Sequence, residues 1–308
     1  MSLKIYEFFG FDPLDHSATA EGFRKSGQCP FVAGACIKRF KSGLTSGACC
    51  AKPVTTGPVI ICPNRMYAGK YAVLLDVAKT CFGEDVRLCR TLDDARHDGK
   101  DVQVFGKGWG KELRLPNRGK GGGYFVDWIL ALIDKDRNLV EFVAAELQTM
   151  DTTGSYEAEI RSYYEHKPAA QSQSGINWEN VSKRILPQII YKGHVLRREP
   201  LCTKGLFFIC PTPVYGKILE RLGNTLTTYH PQPGALTFRW YSVSEHQEPA
   251  VSRDLEFGGQ MTTTIDQVAL AFTSPSGLPA PRVYEQAIQA ELLGAPATGR
   301  RIPRKRSK

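Results

Sequence analysis

The sequence predicts an α/β domain that carries a small metal module near its N-terminus. Three observations lead there. Segments of helical and of strand character are interspersed along the chain, with no internal repeat. Two consecutive segments, 124–133 (YFVDWILALI) and 139–150 (LVEFVAAELQTM), carry the strongest strand signals, and DKDRN between them suits a hairpin. Five of the nine cysteines fall between Cys29 and Cys62, where periodicity is weak. The 308 residues suffice for a sizeable core, and 42% hydrophobic with 23% charged residues marks a globular chain. No apolar run approaches the ~20 residues of a membrane span, so no membrane partner is expected. MSLKIYEFFGFDPLD has no apolar signal region, which points to a cytoplasmic protein.

The elements follow in order. Residues 1–24 read as an ordered lead-in with a helix around 19–24. Residues 25–66 are rich in Gly, Ser, Pro and Cys. About forty residues without clear periodicity inside a compact protein need another staple. Residues 68–80 (AGKYAVLLDVAKT) read as an amphipathic helix stopped near Gly83. Short strands are expected at 86–88 and 102–105, and a short helix at 111–113. After the hairpin come helices at 155–166 and 181–191, the latter interrupted by Pro187. Strands at 206–209 and 238–243 and a helix at 265–272 complete the pattern. The division expected is a cysteine module over 1–66, a main domain over 67–298 and a basic tail over 299–308.

The net charge of +9 is concentrated at one end. Residues 300–308 (RRIPRKRSK) hold six basic groups and no acid, leaving 34 basic against 31 acidic groups elsewhere. Such a tail attracts polyanions without sequence preference, or is simply a solvated terminus.

The clustered cysteines are spaced C29-x6-C36-x12-C49-C50-x11-C62. Four thiolates on a loop-rich segment can close a tetrahedral site around Zn²⁺ or iron, and the metal then supplies the missing stabilisation. Unligated cysteines are the alternative. A closed four-thiolate site is structural, since it leaves no position for substrate. Cys49 and Cys50 are adjacent, so one of them is the ligand. Cys81, Cys89, Cys202 and Cys210 are read as small buried hydrophobes.

Asp127 stands in an apolar strand, and Glu146 and Gln148 share a face of the next. A carboxylate in such a strand is costly unless paired, and a hard cation such as Mg²⁺ is a suitable partner. Glu112, upstream, is placed to reach the same point. Surface or salt-bridged acids are the alternative reading. Lys107, Lys111, Arg114, Arg118 and Lys120 crowd the approach, as phosphate contacts would require. The six histidines show no nuclease-like clustering and receive no role.

Three stretches together resemble the NotI family of type II restriction endonucleases. They are the cysteine region (CPF at 29–31, SGAC ending at Cys49, CPNR at 62–65), EL at 112–113 with FVDW at 125–128, and ELQTMD at 146–151 leading to GSY. Weaker similarity continues through VSKRILPQIIYK at 181–192. The resemblance implies a restriction-endonuclease-like core with a central mixed sheet flanked by helices. Such cores carry an Asp…Asp/Glu-x-Lys site, here with Gln148 where lysine is usual. It implies Mg²⁺-dependent cleavage of both strands of double-stranded DNA at a GC-rich palindrome. Glu112, Asp127, Glu146 and Gln148 would be catalytic, with Mg²⁺ on Asp127 and Glu146. Structural iron, or zinc, would sit on Cys29, Cys36, Cys49 and Cys62, the SGAC match favouring Cys49 over Cys50. A palindrome cut on both strands calls for a homodimer, and restriction-modification for a prokaryotic cytoplasm. Arg114, Arg118, Arg161, Lys183 and Arg184 are candidates for guanine contacts, against ordinary surface charge. The competing readings are a sequence-specific DNA-binding protein, or a repair nuclease, with a structural metal site.

Overall fold

In the computed structural model, a seven-stranded mixed sheet flanked by helices organises the chain, an α/β architecture. The structure describes residues 3–293, apart from 55, 107, 110–112, 114–124, 224, 246–247 and 275–279. The elements in chain order are β1 (Leu3–Phe8), α1 (Ala18–Ser26), β2 (Ala48–Pro53), β3 (Val59–Ile60), α2 (Ala68–Phe82), β4 (Arg87–Cys89), β5 (Asp101–Gly106), β6 (Trp128–Ile133) and β7 (Leu139–Leu147). Then come β8 (Thr152–Thr153), α3 (Glu157–Tyr164), β9 (Gly175–Ile176), α4 (Leu186–Leu196), β10 (Leu206–Pro211), α5 (Thr212–Leu222), β11 (Ala235–Val243), β12 (Leu255–Thr264), α6 (Ile265–Thr273) and α7 (Val283–Leu292).

The central sheet runs β12-β11-β10-β7-β6-β5-β4. Strands β5, β6 and β7 form an antiparallel meander. The chain then crosses through α3 and α4 to β10, which lies parallel to β7, and through α5 to β11, parallel to β10. Buried parallel strands need apolar residues on both faces. LFFICP in β10 meets that requirement, with every position buried. A second sheet, β1-β2-β3, carries the cysteine region, and β8 and β9 form a two-residue ribbon.

Alternation along the strands splits the core in two. Val143, Ala145 and Leu147 of β7 face a layer with Val73, Leu74, Val77 and Ala78 of α2. Ala144 faces the opposite layer with Ile160, Leu186, Ile189 and Val214. Glu146, between Ala145 and Leu147, therefore points to the α4 side. Each fully buried aliphatic side chain here contributes roughly 1.5–3 kcal/mol, which anchors the register that places Glu146.

Local chemistry sets the helix ends. Ser17 Oγ accepts from Ala20 N at the start of α1, and Gly27 closes it in a left-handed conformation. Thr264 Oγ1 caps α6 through Gln267 N. Pro187 does not interrupt a helix: a π-helical turn over Val181–Ile185 leads into α4, and Pro187 sits in its first turn, where no N–H partner is needed. Gly106 at the end of β5 is obligatory for space, since a Cβ there would lie 2.1 Å from the Trp128 ring. Trp128 thus lies flat against β5, beside Asp127.

Most expected elements are found, with shifted bounds. The first hairpin strand begins at Trp128, so Asp127 lies just before β6 and not within a strand. Strands β1, β2, β3, β8, β9 and β12 and helices α5 and α7 have no counterpart among the expected elements. The expected helix at 111–113 falls largely outside the described residues, as does the basic tail. The chain divides into two compact units, Met1–Ser274 and Pro275–Lys308. In the second unit, α7 shows exposed Tyr284, Ile288 and Leu292. No helix among the described residues is long and apolar enough to cross a membrane.

Candidate functional site

The β6–β7 register continues one step beyond Trp128↔Ala145 to bring Asp127 opposite Glu146. The two are tied reciprocally. Asp127 N donates to Glu146 Oε2 at 3.3 Å, and Leu147 N donates to Asp127 Oδ2 at 2.9 Å. These bonds orient both carboxylates without the help of a ligand. Behind them, Trp128 Nε1 donates to Tyr67 Oη at 3.1 Å, and Tyr71 packs edge-on to the same indole.

A residue that sequence reasoning missed completes the group. Lys192, from α4, donates to Glu146 Oε1 from across the layer. Its side chain is 20% exposed and that of Glu146 only 9%. Gln148 lies just past the end of β7, and the cation beside Glu146 arrives from another element, 46 residues further on. Lys192 closes the VSKRILPQIIYK stretch, but nothing local in the sequence marks it as facing an acid 46 residues earlier.

The electrostatics follow from burial. Desolvation, with Asp127 next to it, pushes the Glu146 carboxyl up to about 7, against the opposing pull of Lys192. Asp127 is also raised by burial, offset by the Leu147 amide and Lys192. Two neighbouring carboxylates face one ammonium, Glu146 buried and Asp127 reached by solvent, so the negative charge is not fully offset within the group. That donor set fits a hard divalent cation such as Mg²⁺, held by Asp127 and Glu146.

The other expected members fare differently. Gln148 is anchored by its backbone to Ile209 O at 3.0 Å, and its side-chain amide donates to Thr149 O at 3.0 Å. It stands next to the pair but is hydrogen-bonded to its own strand end. Glu112 lies outside the described residues, as do Lys107, Lys111, Arg114, Arg118 and Lys120. Arg161 pairs with Glu157 at 2.8 Å, Lys183 with Glu179, and Arg184 with Asp151 at 3.7 Å, all exposed. A cavity of about 810 Å³ nearby is not this site. It runs along Ile129, Ala131, Ile133 and Phe142 to Leu196, mostly apolar, and meets the carboxylates only near Val126.

The cysteines form a second group. Cys29, Cys36, Cys49 and Cys62 all line one small cavity, about 10 Å³, together with Phe9, Phe31 and Asn64. Cys29 N donates to Gly34 O (2.9 Å) and Cys36 N to Gly27 O (2.8 Å), folding a tight loop after α1. Cys49 O accepts from both Ile61 N (2.9 Å) and Cys62 N (3.2 Å), which ties β2 to the turn bearing Cys62. Burial pushes the Cys49 and Cys62 thiols up, and Lys38 pulls Cys62 down. Four soft donors around one small space fit a thiolate-preferring ion. No three of their sulfurs fall within 4.8 Å of one another, so a metal would have to draw them in. Cys50 faces the other way: its Sγ donates to Glu7 Oε2 at 2.9 Å, beside the fully buried Glu7–Arg65 ion pair. Of the doublet, Cys49 is the one at the cavity. Cys81, Cys89, Cys202 and Cys210 are buried, as expected.

Two of the histidines, given no role in the sequence reading, meet in space away from both groups. His16 and His166, 150 residues apart, bring their Nδ1 atoms to 3.2 Å. No protein-family model matches the chain, and no curated protein matches it significantly.

Proposed function

We propose that this chain is a Mg²⁺-dependent nuclease, and specifically a type II restriction endonuclease with a restriction-endonuclease-like core. It would cut both strands of double-stranded DNA at a GC-rich palindrome as a homodimer, in a prokaryotic cytoplasm. The observation that carries this reading is the convergence of Asp127, Glu146 and Lys192 at the end of the central sheet's β6–β7 pair, with Glu146 buried and Asp127 open to solvent. The antiparallel meander followed by a helical crossover to a parallel strand supports the core assignment. The iron or zinc site on Cys29, Cys36, Cys49 and Cys62 serves in this reading as a staple for the N-terminal loops.

Asp127 and Glu146 would hold the ion. An ion held there would supply the Lewis acidity to polarise a phosphoryl oxygen and to lower the pKa of a water. The rest falls to the chain. The Leu147 amide fixes the rotation of Asp127, and the Asp127 amide fixes Glu146. Lys192, an ammonium on a rigid helix, offsets the charge of Glu146 and stands ready to engage a phosphate oxygen of the substrate. Gln148 carries no charge, and its role is to orient a carboxylate or water once its bond to Thr149 O is exchanged.

The test is incubation of the purified protein with a GC-rich duplex library and Mg²⁺, followed by sequencing of the ends. Uniform ends at one palindrome are expected. Specific binding without cuts points to a DNA-binding protein, and cuts confined to branched or damaged DNA to a repair nuclease.

A further inference from the structure

We infer that His16, Glu21 and His166 form a surface site for an imidazole-preferring divalent ion of the Zn²⁺ class. The inference is independent of the nuclease reading, since the three side chains belong neither to the carboxylate pocket nor to the cysteine cavity. Among the described residues they are the one group of three or more His, Cys, Asp or Glu whose ligating atoms all lie within 4.8 Å.

The two distances from His16 match a small ion. His16 Nδ1 lies 3.3 Å from Glu21 Oε1 and 3.2 Å from His166 Nδ1. Ligands ~2.0–2.1 Å from a tetrahedral Zn²⁺ stand roughly 3.3 Å from one another. An ion between the two Nδ1 atoms would give both lone pairs one centre to face. The rings are tilted by 57° with centroids 4.8 Å apart, so they are not stacked face to face.

The support behind the ligands is in place. Glu21 is held by Arg24, whose Nη1 donates to Glu21 Oε1 at 2.8 Å. Arg24 itself is buried and fixed by Asp15 O at 2.6 Å and Asp12 O at 2.9 Å. A ligand oriented by a fixed donor behind it is the usual build of a metal site. Glu21 keeps Oε2 free of Arg24, 3.9 Å from His166 Nε2. Both histidines are about half exposed, which leaves a fourth position open to water. His166, just beyond α3, holds φ at 53°, a conformation uncommon for histidine. Two nitrogens and one carboxylate select Zn²⁺, Ni²⁺ or Cu²⁺ over Mg²⁺. The ion would clip the residues around the start of α1 to the end of α3.

The experiment is a Zn²⁺ titration of the full chain with ¹⁵N-labelled histidine, followed by ring ¹H–¹⁵N spectra, and by dialysis with metal analysis. The His16 and His166 signals should move together and saturate at about one equivalent beyond the cysteine cavity's share. H166A should bind one Zn²⁺ fewer and leave the His16 signal unmoved, whereas C36S should keep the coupled shift. Equal Zn²⁺ uptake by H166A and the unaltered chain overturns the proposal, as does movement of the two rings only in large metal excess. Should H166A fail to fold, H16Q and the spectra of the unaltered chain decide it.

Discussion

The carboxylate pocket and the cysteine cavity are both partly buried sets of metal-seeking donors, yet they are built on opposite principles. Asp127 and Glu146 are placed by strand register on the central sheet, hydrogen-bonded to each other's backbone and faced by Lys192. The four thiols sit on loops and a small sheet, raised well into the neutral form where burial is greatest, with their sulfurs not yet at ligand spacing. The first is preorganised and carries its own cation. The second, in the proposed reading, would gain its geometry from the ion it takes. A site meant to act on a substrate must keep its shape when the ion and substrate leave, and a staple need not.

That contrast can be broken. The largest effect is expected at the pocket. D127A or E146A should lower cleavage of a GC-rich duplex by at least about 10²-fold while gel-shift binding persists, since each removes a ligand to the ion. Full cleavage by either variant would end the nuclease reading.

At the cavity the loss should appear in stability. C62S should lose the structural metal and lower the Tm by roughly 10 °C in thermal unfolding. C50A, whose side chain faces Glu7, should keep the metal by elemental analysis. Equal metal loss in both variants would mean that the doublet is misassigned.

K192M sharpens the pocket's side of the comparison. It should lower kcat by about 10²-fold, with K192R recovering part of it, because a charge on α4 is what the pocket requires. Measured cleavage rates for the pair separate a charge role from a packing role. The smallest effect is expected at Gln148. Q148A should change kcat by about tenfold or less, as the side chain is already satisfied by Thr149 O.

Particular residues show how much is legible in advance. YFVDWILALI and LVEFVAAELQTM announce the hairpin, because apolar β-formers around a polar turn have few other uses. Helix α2 and strands β10 and β11 are legible for the same reason. Strand β12 is not: FGGQMTTT lacks apolar alternation and is held by pairing along β11, with Gly258 and Gly259 pressed on Trp240. Strand β1 does alternate at its start, with Leu3 and Ile5 buried and Lys4 exposed, but the pattern is too short to stand out from the lead-in around it. Asp127 and Glu146 are legible as partners, and the register brings them together. Lys192, and the meeting of His16 with His166, leave no local trace.

Local sequence settled whatever depends on spacing along one segment: the hairpin, the helix caps at Ser17 and Gly27, the crowding of five cysteines. Packing between distant segments settled the rest. It turned Cys49 to the cavity and Cys50 to Glu7, aimed Lys192 from α4 at Glu146, and bound Gln148 to its own strand end. Periodicity reports which face a side chain takes on its own element, and only the docking of elements reports what that face meets.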